Sequence, residues 1–283
     1  MAVYKIKDIE VLTDIKAHTI RIWEKRYNIL EPSRTDTKIR TYSEADLVKL
    51  LNISILNNHG WKISKIADMS EAELSEKILT ITDQAKNNSA TVTLLIKSLT
   101  EMDELLFHRV VDKHAEKEGF KQTFLNYVWP FLDRIGIMWL AGAINPAQEH
   151  FISNLLRQKL IVAIAHLPIP QQEQTDYILF CRSDEWHELS LLFYHFCIQE
   201  QGNKVSYLGQ NVPLEALVKA VDILQPNKGV VTSLIAAVNE KNITSYFKKL
   251  SEQINLPIYV GGAQASKIIR KELPTVLDVD QIL

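Results

Sequence analysis

A chain of 283 residues, 46% hydrophobic and 23% charged, has room for about two domains and the composition of an ordinary folded protein, so bulk disorder is excluded. Its longest apolar runs, such as Ile161 to Ala165, fall far short of the ~20 residues a bilayer span needs, and the opening MAVYKIKDIE lacks the features of a secretory signal, so a cytoplasmic protein without membrane contact is expected. Two cysteines, Cys181 and Cys197, make neither a disulfide framework nor zinc spacing, and a net charge of -2 taken alone argues against nucleic acid.

In chain order, Ile6 to Leu12 reads as a short helix, Thr13-Asp14 as a turn and cap, and His18 to Tyr27 as a second helix. Pro32 to Tyr42 is a polar loop, and Ser43 with Asp46 three residues on has the form of a capping box opening a helix from Ala45 to Asn58. Residues 74–90 read as a polar connector, and from about 88 to 167 the pattern is helical. Within that stretch Asn145 is expected to cap a helix with Pro146 in its first turn. The segment Leu167 to Thr175, with two prolines, reads as a linker. Beyond it, apolar runs at Tyr177-Cys181, Val205-Leu208, Val230-Leu234 and Ile258-Val260 alternate with helical patterns, and a further strand falls between Val276 and Leu283. That alternation predicts a parallel sheet covered on both faces.

Charge resolved by segment reverses the first impression. Between Lys16 and Arg40 there are seven basic residues against three acidic ones, a local +4 that attracts phosphate whatever the rest of the chain carries. A short helix, a tight turn, and a second helix bearing Arg21 and Arg26 suit docking in a major groove, and the loop with Arg34, Lys38 and Arg40 suits a wing against the DNA backbone. The run His18-Thr19-Ile20-Arg21-Ile22-Trp23-Glu24-Lys25-Arg26-Tyr27, followed by Pro32, Arg34 and Arg40-Thr41-Tyr42-Ser43, resembles the MerR family of transcription regulators over about the first 70 residues. The resemblance implies a winged helix-turn-helix that binds double-stranded DNA as a dimer. It places Arg21, Arg40 and Tyr42 on DNA, with His18, Thr19, Arg26, Arg34 and Lys38 as further contacts and Trp23 in the core. The family's long dimerising helix is not evident.

In the last region, ligand chemistry belongs at the carboxyl ends of the strands. His187 follows the first strand, and Glu185, two residues earlier, is placed to bond its second ring nitrogen and set its tautomer. Ser190, Thr232-Ser233-Leu234 and Gly261-Gly262 follow, with 41 residues between Ser190 and Thr232 and 26 between Leu234 and Gly261. The series resembles the cobalamin-binding domains of methionine synthase, mutases and related regulators over about residues 175–283. It departs at two positions: Ser190 stands for a glycine and Thr232 for a serine. The resemblance makes His187 the lower axial cobalt ligand and Glu185 its partner. It puts Thr232, Gly261 and Gly262 around the nucleotide tail, with Ser190 at its entrance.

Trp139, nine intervening residues, then Glu149-His150 resembles the four-helix cap of light-responsive, cobalamin-dependent MerR-type repressors. There the Trp, Glu and His lie over the upper face of adenosylcobalamin. Leu140 replaces the histidine that traps cobalt after photolysis in those repressors, so photosensing by that route is not expected here.

The expected architecture is multidomain, α plus α/β. It comprises a winged helix-turn-helix (1–73), a connector (74–90), a four-helix bundle cap (91–168) and a flavodoxin-like, Rossmann-like parallel sheet (175–283). The expected function is a non-enzymatic transcription regulator, dimeric or tetrameric, whose assembly and DNA affinity follow adenosylcobalamin binding. Two alternatives stand beside it: a regulator with a vestigial or repurposed pocket, and a corrinoid methyl-carrier component.

Overall fold

The computed structural model describes residues 4–13, 15–34, 40–70, 73–74, 76–77, 90–140, 143–268, 271 and 273–283. The chain divides into two compact units, Met1–Ile152 and Ser153–Leu283.

The first unit opens with β1 (Tyr4–Lys5), α1 (Ile6–Thr13), α2 (Ala17–Tyr27), β2 (Ser33–Arg34), β3 (Arg40–Tyr42), α3 (Glu44–Asn58) and α4 (Ile63–Ile66). The expected helix, turn and second helix form with bounds within a residue of those read from the sequence. The turn is capped differently: the residue before α2 is Lys16, which gives no side-chain cap, and Glu10 Oε2 accepts the Ala17 N–H at 3.3 Å instead. Asp14, expected in that cap, lies outside the described residues, as do Lys38 and most of the 74–90 connector. Thr13 turns back on its own helix, its hydroxyl donating to the Ile9 carbonyl at 2.8 Å. Asn28 ends α2 in the left-handed region at φ 50, a conformation asparagine tolerates better than most residues.

The loop after α2 is a wing, with β2 and β3 antiparallel and Arg34 opposite Arg40. The strand pair gains a third member not read from the sequence, because β1 pairs with β3 and sets Tyr4 opposite Tyr42. Ser43 and Asp46 form the expected capping box: the Asp46 carboxylate accepts the Ser43 N–H at 2.8 Å, and the Ser43 hydroxyl accepts the Asp46 N–H at 3.2 Å. Ile9, Ile20, Trp23, Tyr42, Leu50, Ile53 and Leu56 close one core around these elements.

The unit continues with α5 (Ala90–Glu101), α6 (Glu104–Glu118), α7 (Phe120–Thr123), a π-helical turn (Phe124–Val128), α8 (Trp129–Leu140) and the start of α9 (Pro146–His166). Helices α5, α6 and α8 form the bundle, with Val92, Leu95, Leu99, Phe107, Phe131 and Ile135 buried. Pro130 has no N–H to give to the helix ladder. The preceding turn widens so that the Trp129 N–H reaches the Phe124 carbonyl, five residues back. Asn145 caps α9 as expected, and Gln148 reciprocates: Oδ1 of Asn145 accepts the Gln148 N–H at 3.1 Å, and Oε1 of Gln148 accepts the Asn145 N–H at 3.0 Å. Among the described residues no helix is long and apolar enough to cross a membrane.

The second unit is a five-stranded parallel sheet. Its strands are β4 (Tyr177–Arg182), β5 (Val205–Val212), β6 (Gly229–Ser233), β7 (Ile258–Gly261) and β8 (Val276–Asp278), in the order β5-β4-β6-β7-β8. Helix α10 (Leu189–Glu200) lies against β4, β5 and β6 on one face. Helices α11 (Leu214–Leu224) and α12 (Glu240–Gln253) cover the other, where Ile178, Phe180, Val230, Val260, Leu217 and Phe247 share one core. The chain leaves β4 for β5 on one side and returns to β6 on the other. The carboxyl ends of β4 and β6 therefore flank the switch point, where open α/β sheets leave a crevice.

Candidate functional site

On the winged part, α2 presents His18, Arg21 and Arg26 to solvent, and Thr19 is half-buried with its hydroxyl 3.4 Å from His18 Nε2. Arg34 is exposed on β2. Trp23, expected in the core, is buried.

Glu24 was not singled out in the sequence, yet it is the joint between helix and wing. Its carboxylate accepts the Tyr42 hydroxyl at 2.6 Å through Oε1 and pairs with Arg40 Nε at 3.1 Å through Oε2. Tyr42, expected to touch DNA, has 1% of its surface exposed and presents almost nothing to a phosphate. Burial and the bond to Glu24 push its phenol well above the ordinary range. Its place in the fold is that of a residue positioning β3 on α2.

At the switch point, Glu185 is fully buried and accepts four hydrogen bonds. Oε1 takes His187 Nδ1 at 2.7 Å and the His187 N–H at 3.1 Å, while Oε2 takes the N–H groups of Ile235 and Ala236 at 2.9 and 2.8 Å. Burial alone would raise this carboxyl. The bonds from the His187 ring, from Ala236 and Ile235, and from the His187 backbone outweigh it and hold the pKa at about 2. A carboxylate so held fixes the proton on Nδ1 and leaves Nε2 as the basic ring nitrogen. The His187 side chain is 62% exposed. Neighbouring bonds fix the loop: the Asp184 N–H reaches Asn211 Oδ1 at 3.0 Å, the Asn211 N–H reaches the Glu185 carbonyl at 3.2 Å, and Gln210 Nε2 reaches the Trp186 carbonyl at 2.7 Å. This end of the site fits a metal-binding imidazole, with the second ring nitrogen fixed by a carboxylate that is itself anchored to the strand ends.

The nucleotide-tail positions are arranged otherwise than expected. Thr232 pairs in register with Phe180 and Val260 and shares their face, the one under α11 and α12. Gly261 pairs with Ser233 on the α10 face, so Thr232 does not line a cavity with Gly261. Thr232 Oγ1 is buried with no hydrogen-bond partner among the described residues. Thr232→Val is therefore expected to leave the unfolding free energy unchanged or raise it by up to about 1 kcal/mol, as read by denaturant melts. A loss of that size would show that the hydroxyl contributes to the fold.

The residue facing α10 is Ser233, whose hydroxyl lies 2.6 Å from that of Ser190, one turn before the buried Tyr194. Neither Ser233 nor Tyr194 was singled out in the sequence. The strand's alternation and the four-residue spacing of Ser190 and Tyr194 on one helix face were the available signals.

In the helical part, Trp139 is half-buried one residue before the end of α8. Glu149 stands in the first turn of α9 and His150 directly after it, with His150 Nδ1 2.8 Å from Glu149 Oε2. Cys181 and Cys197 are buried as expected of small apolar groups, and burial pushes the Cys181 thiol up to about 12, far from a reactive thiolate.

Residues 4–73 match the family described as MerR HTH family regulatory protein, and residues 92–163 match the B12 binding domain. The chain is 28% identical over 272 residues to the HTH-type transcriptional repressor CarH of Myxococcus xanthus, covering 93% of this chain and 89% of the relative. It is 25% identical over 279 residues to the HTH-type transcriptional repressor CarA of the same organism, covering 94% and 88%. Among solved structures, the monomethylamine corrinoid protein of Methanosarcina barkeri shares the fold with a TM-score of 0.51 at 14% identity, covering 74% of this chain and 96% of that one.

Proposed function

This chain carries a MerR helix-turn-helix domain followed by a B12-binding domain and is homologous to the CarH and CarA repressors; from that premise we propose that it is a cytoplasmic, non-enzymatic transcription regulator whose DNA affinity is set by a bound cobalamin. The observation that carries the reading is one chain holding both a basic winged helix and, at the switch point of a parallel sheet, a histidine whose tautomer is fixed by a four-bonded carboxylate.

When bound, the corrinoid supplies a cobalt ion that takes an imidazole nitrogen as a ligand. His187 offers that nitrogen, and Glu185 holds the ring and keeps the proton on the far side. By the resemblance, Trp139, Glu149 and His150 would also contact the bound corrinoid. Control follows from linkage: a ligand that binds one assembly of the chain more tightly than another shifts the population presented to DNA, and DNA shifts ligand affinity by the same factor. The assembly that changes is a dimer or tetramer.

Titrating the purified protein with adenosylcobalamin and following the visible spectrum tests the ligand half. Wild type is expected to bind and His187→Ala to lose the imidazole-bound spectrum; no bound corrinoid in wild type would remove the cofactor from the account. For the DNA half, Arg21→Ala is expected to weaken binding to an operator fragment selected from a random library. The loss should be about tenfold or more, with the slope of log affinity on log salt reduced by about one.

A further inference from the structure

We propose that this chain takes a corrinoid by its ring and by His187 and leaves the nucleotide tail outside, because the slot beneath the glycine pair is filled by the chain's own Tyr194, Ser190 and Ser233. The inference rests on the corrinoid reading above and concerns which corrinoids the site accepts.

The glycines are present, but their space is taken. A Cβ at Gly261 would lie 2.4 Å from the Tyr194 hydroxyl oxygen and 2.5 Å from Val279 Cγ1. One at Gly262, where φ is +92, would lie 2.5 Å from the Leu234 carbonyl oxygen and 2.8 Å from Ser233 Oγ. The glycines therefore admit the phenol and the neighbouring strand end rather than leave a recess.

Tyr194 is 4% exposed, and its hydroxyl oxygen occupies the space beside Gly261. Ser233 is bonded to Ser190 at 2.6 Å. The serine pair joins α10 to the end of β6, and the phenol fills the space beside Gly261 at the end of β7. A bicyclic aromatic base entering here has to expel a ring of comparable thickness, break the serine pair and strand buried hydroxyls without partners. Ser190, the departure read at the motif glycine, is one member of a three-residue plug and not an isolated substitution.

A ring held without its tail predicts indifference to the tail. The probes are adenosylcobalamin and adenosylcobinamide, which share the corrin and the upper group and differ in the nucleotide tail. Calorimetric titration of the full chain is expected to show wild type binding the cobinamide at least as tightly as the cobalamin. The variant Ser190→Gly/Tyr194→Val/Ser233→Gly is expected to open the slot and shift the ratio toward cobalamin by about tenfold or more. Tyr194→Phe keeps the ring in place and should keep the wild-type ratio, which gives a reading even if the triple variant does not fold.

A wild type that prefers cobalamin by about tenfold or more overturns the inference and leaves the corrinoid reading standing. A triple variant with an unchanged ratio also overturns it. No binding of either probe to wild type or variant overturns the corrinoid reading and the inference together. Cobalamin binding gained only when the slot is opened supports the plug.

Discussion

Glu185→Gln is expected to reduce adenosylcobalamin affinity by about 10–100-fold and remove the imidazole-bound spectrum while the protein stays folded. The amide has one acceptor where the carboxylate has two, and the surroundings supply four donors: His187 Nδ1, the His187 N–H, and the N–H groups of Ile235 and Ala236. With the amide oxygen toward Ile235 and Ala236, one backbone donor, the His187 N–H, faces an NH2. Turned the other way, two backbone donors do. The first arrangement leaves fewer conflicts, and it makes the amide donate to Nδ1. The ring proton then moves to Nε2, and the nitrogen available to a metal is lost.

The conflict with the His187 N–H costs about 1–3 kcal/mol, which a well-packed sheet tolerates. Nitrogen chemical shifts of the labelled histidine report the tautomer directly. If the shifts and the cobalt spectrum match wild type, Glu185 does not set the tautomer.

Glu24→Ala is expected to weaken operator binding by about tenfold, although it removes a negative charge from the surface proposed to meet phosphates. Coulomb's law alone predicts the opposite sign, because the patch becomes more positive. The geometry decides otherwise. Glu24 is where α2 holds β3, and without it Arg40 loses its partner and the Tyr42 hydroxyl is left buried with none. The wing is then free to drift from α2, and the stranded hydroxyl lowers stability by about 1–3 kcal/mol. Fluorescence anisotropy on the selected operator fragment at fixed salt measures the first effect, and a denaturant melt the second. Tighter binding by Glu24→Ala would show that charge, not wing placement, governs the interface.

Features closed by neighbours in the chain were legible. Ser43 with Asp46 and Asn145 with Pro146 state their caps within four residues, and both caps formed where the spacing put them. Four of the five strands in the last region follow from apolar runs alternating with helical ones, because a parallel sheet must be covered on both faces. His187 and Glu185 were legible for the same reason, since their bond closes over two residues.

Contacts between distant segments were not. Glu24 meets Tyr42 across 18 residues, Ser190 meets Ser233 across 43, and Glu185 meets Ile235 across 50. Nothing in local spacing marks such a pair. Thr232 shows the cost of reading a motif without the pleat: moving one position along a strand moves a side chain to the opposite face, so Ser233 and not Thr232 faces α10. The widened turn before Trp129 has a local cause in Pro130, but its ladder shift depends on how the helix continues past the proline.

Coupling of a corrinoid to DNA within one chain is read from operator affinity of the 283-residue protein in the dark, with and without saturating adenosylcobalamin, repeated for His187→Ala. Ligand is expected to change wild-type affinity by about tenfold or more, a coupling of about 1.4 kcal/mol, and His187→Ala to abolish the change while still binding DNA. Equal affinity with and without bound ligand in wild type would contradict it.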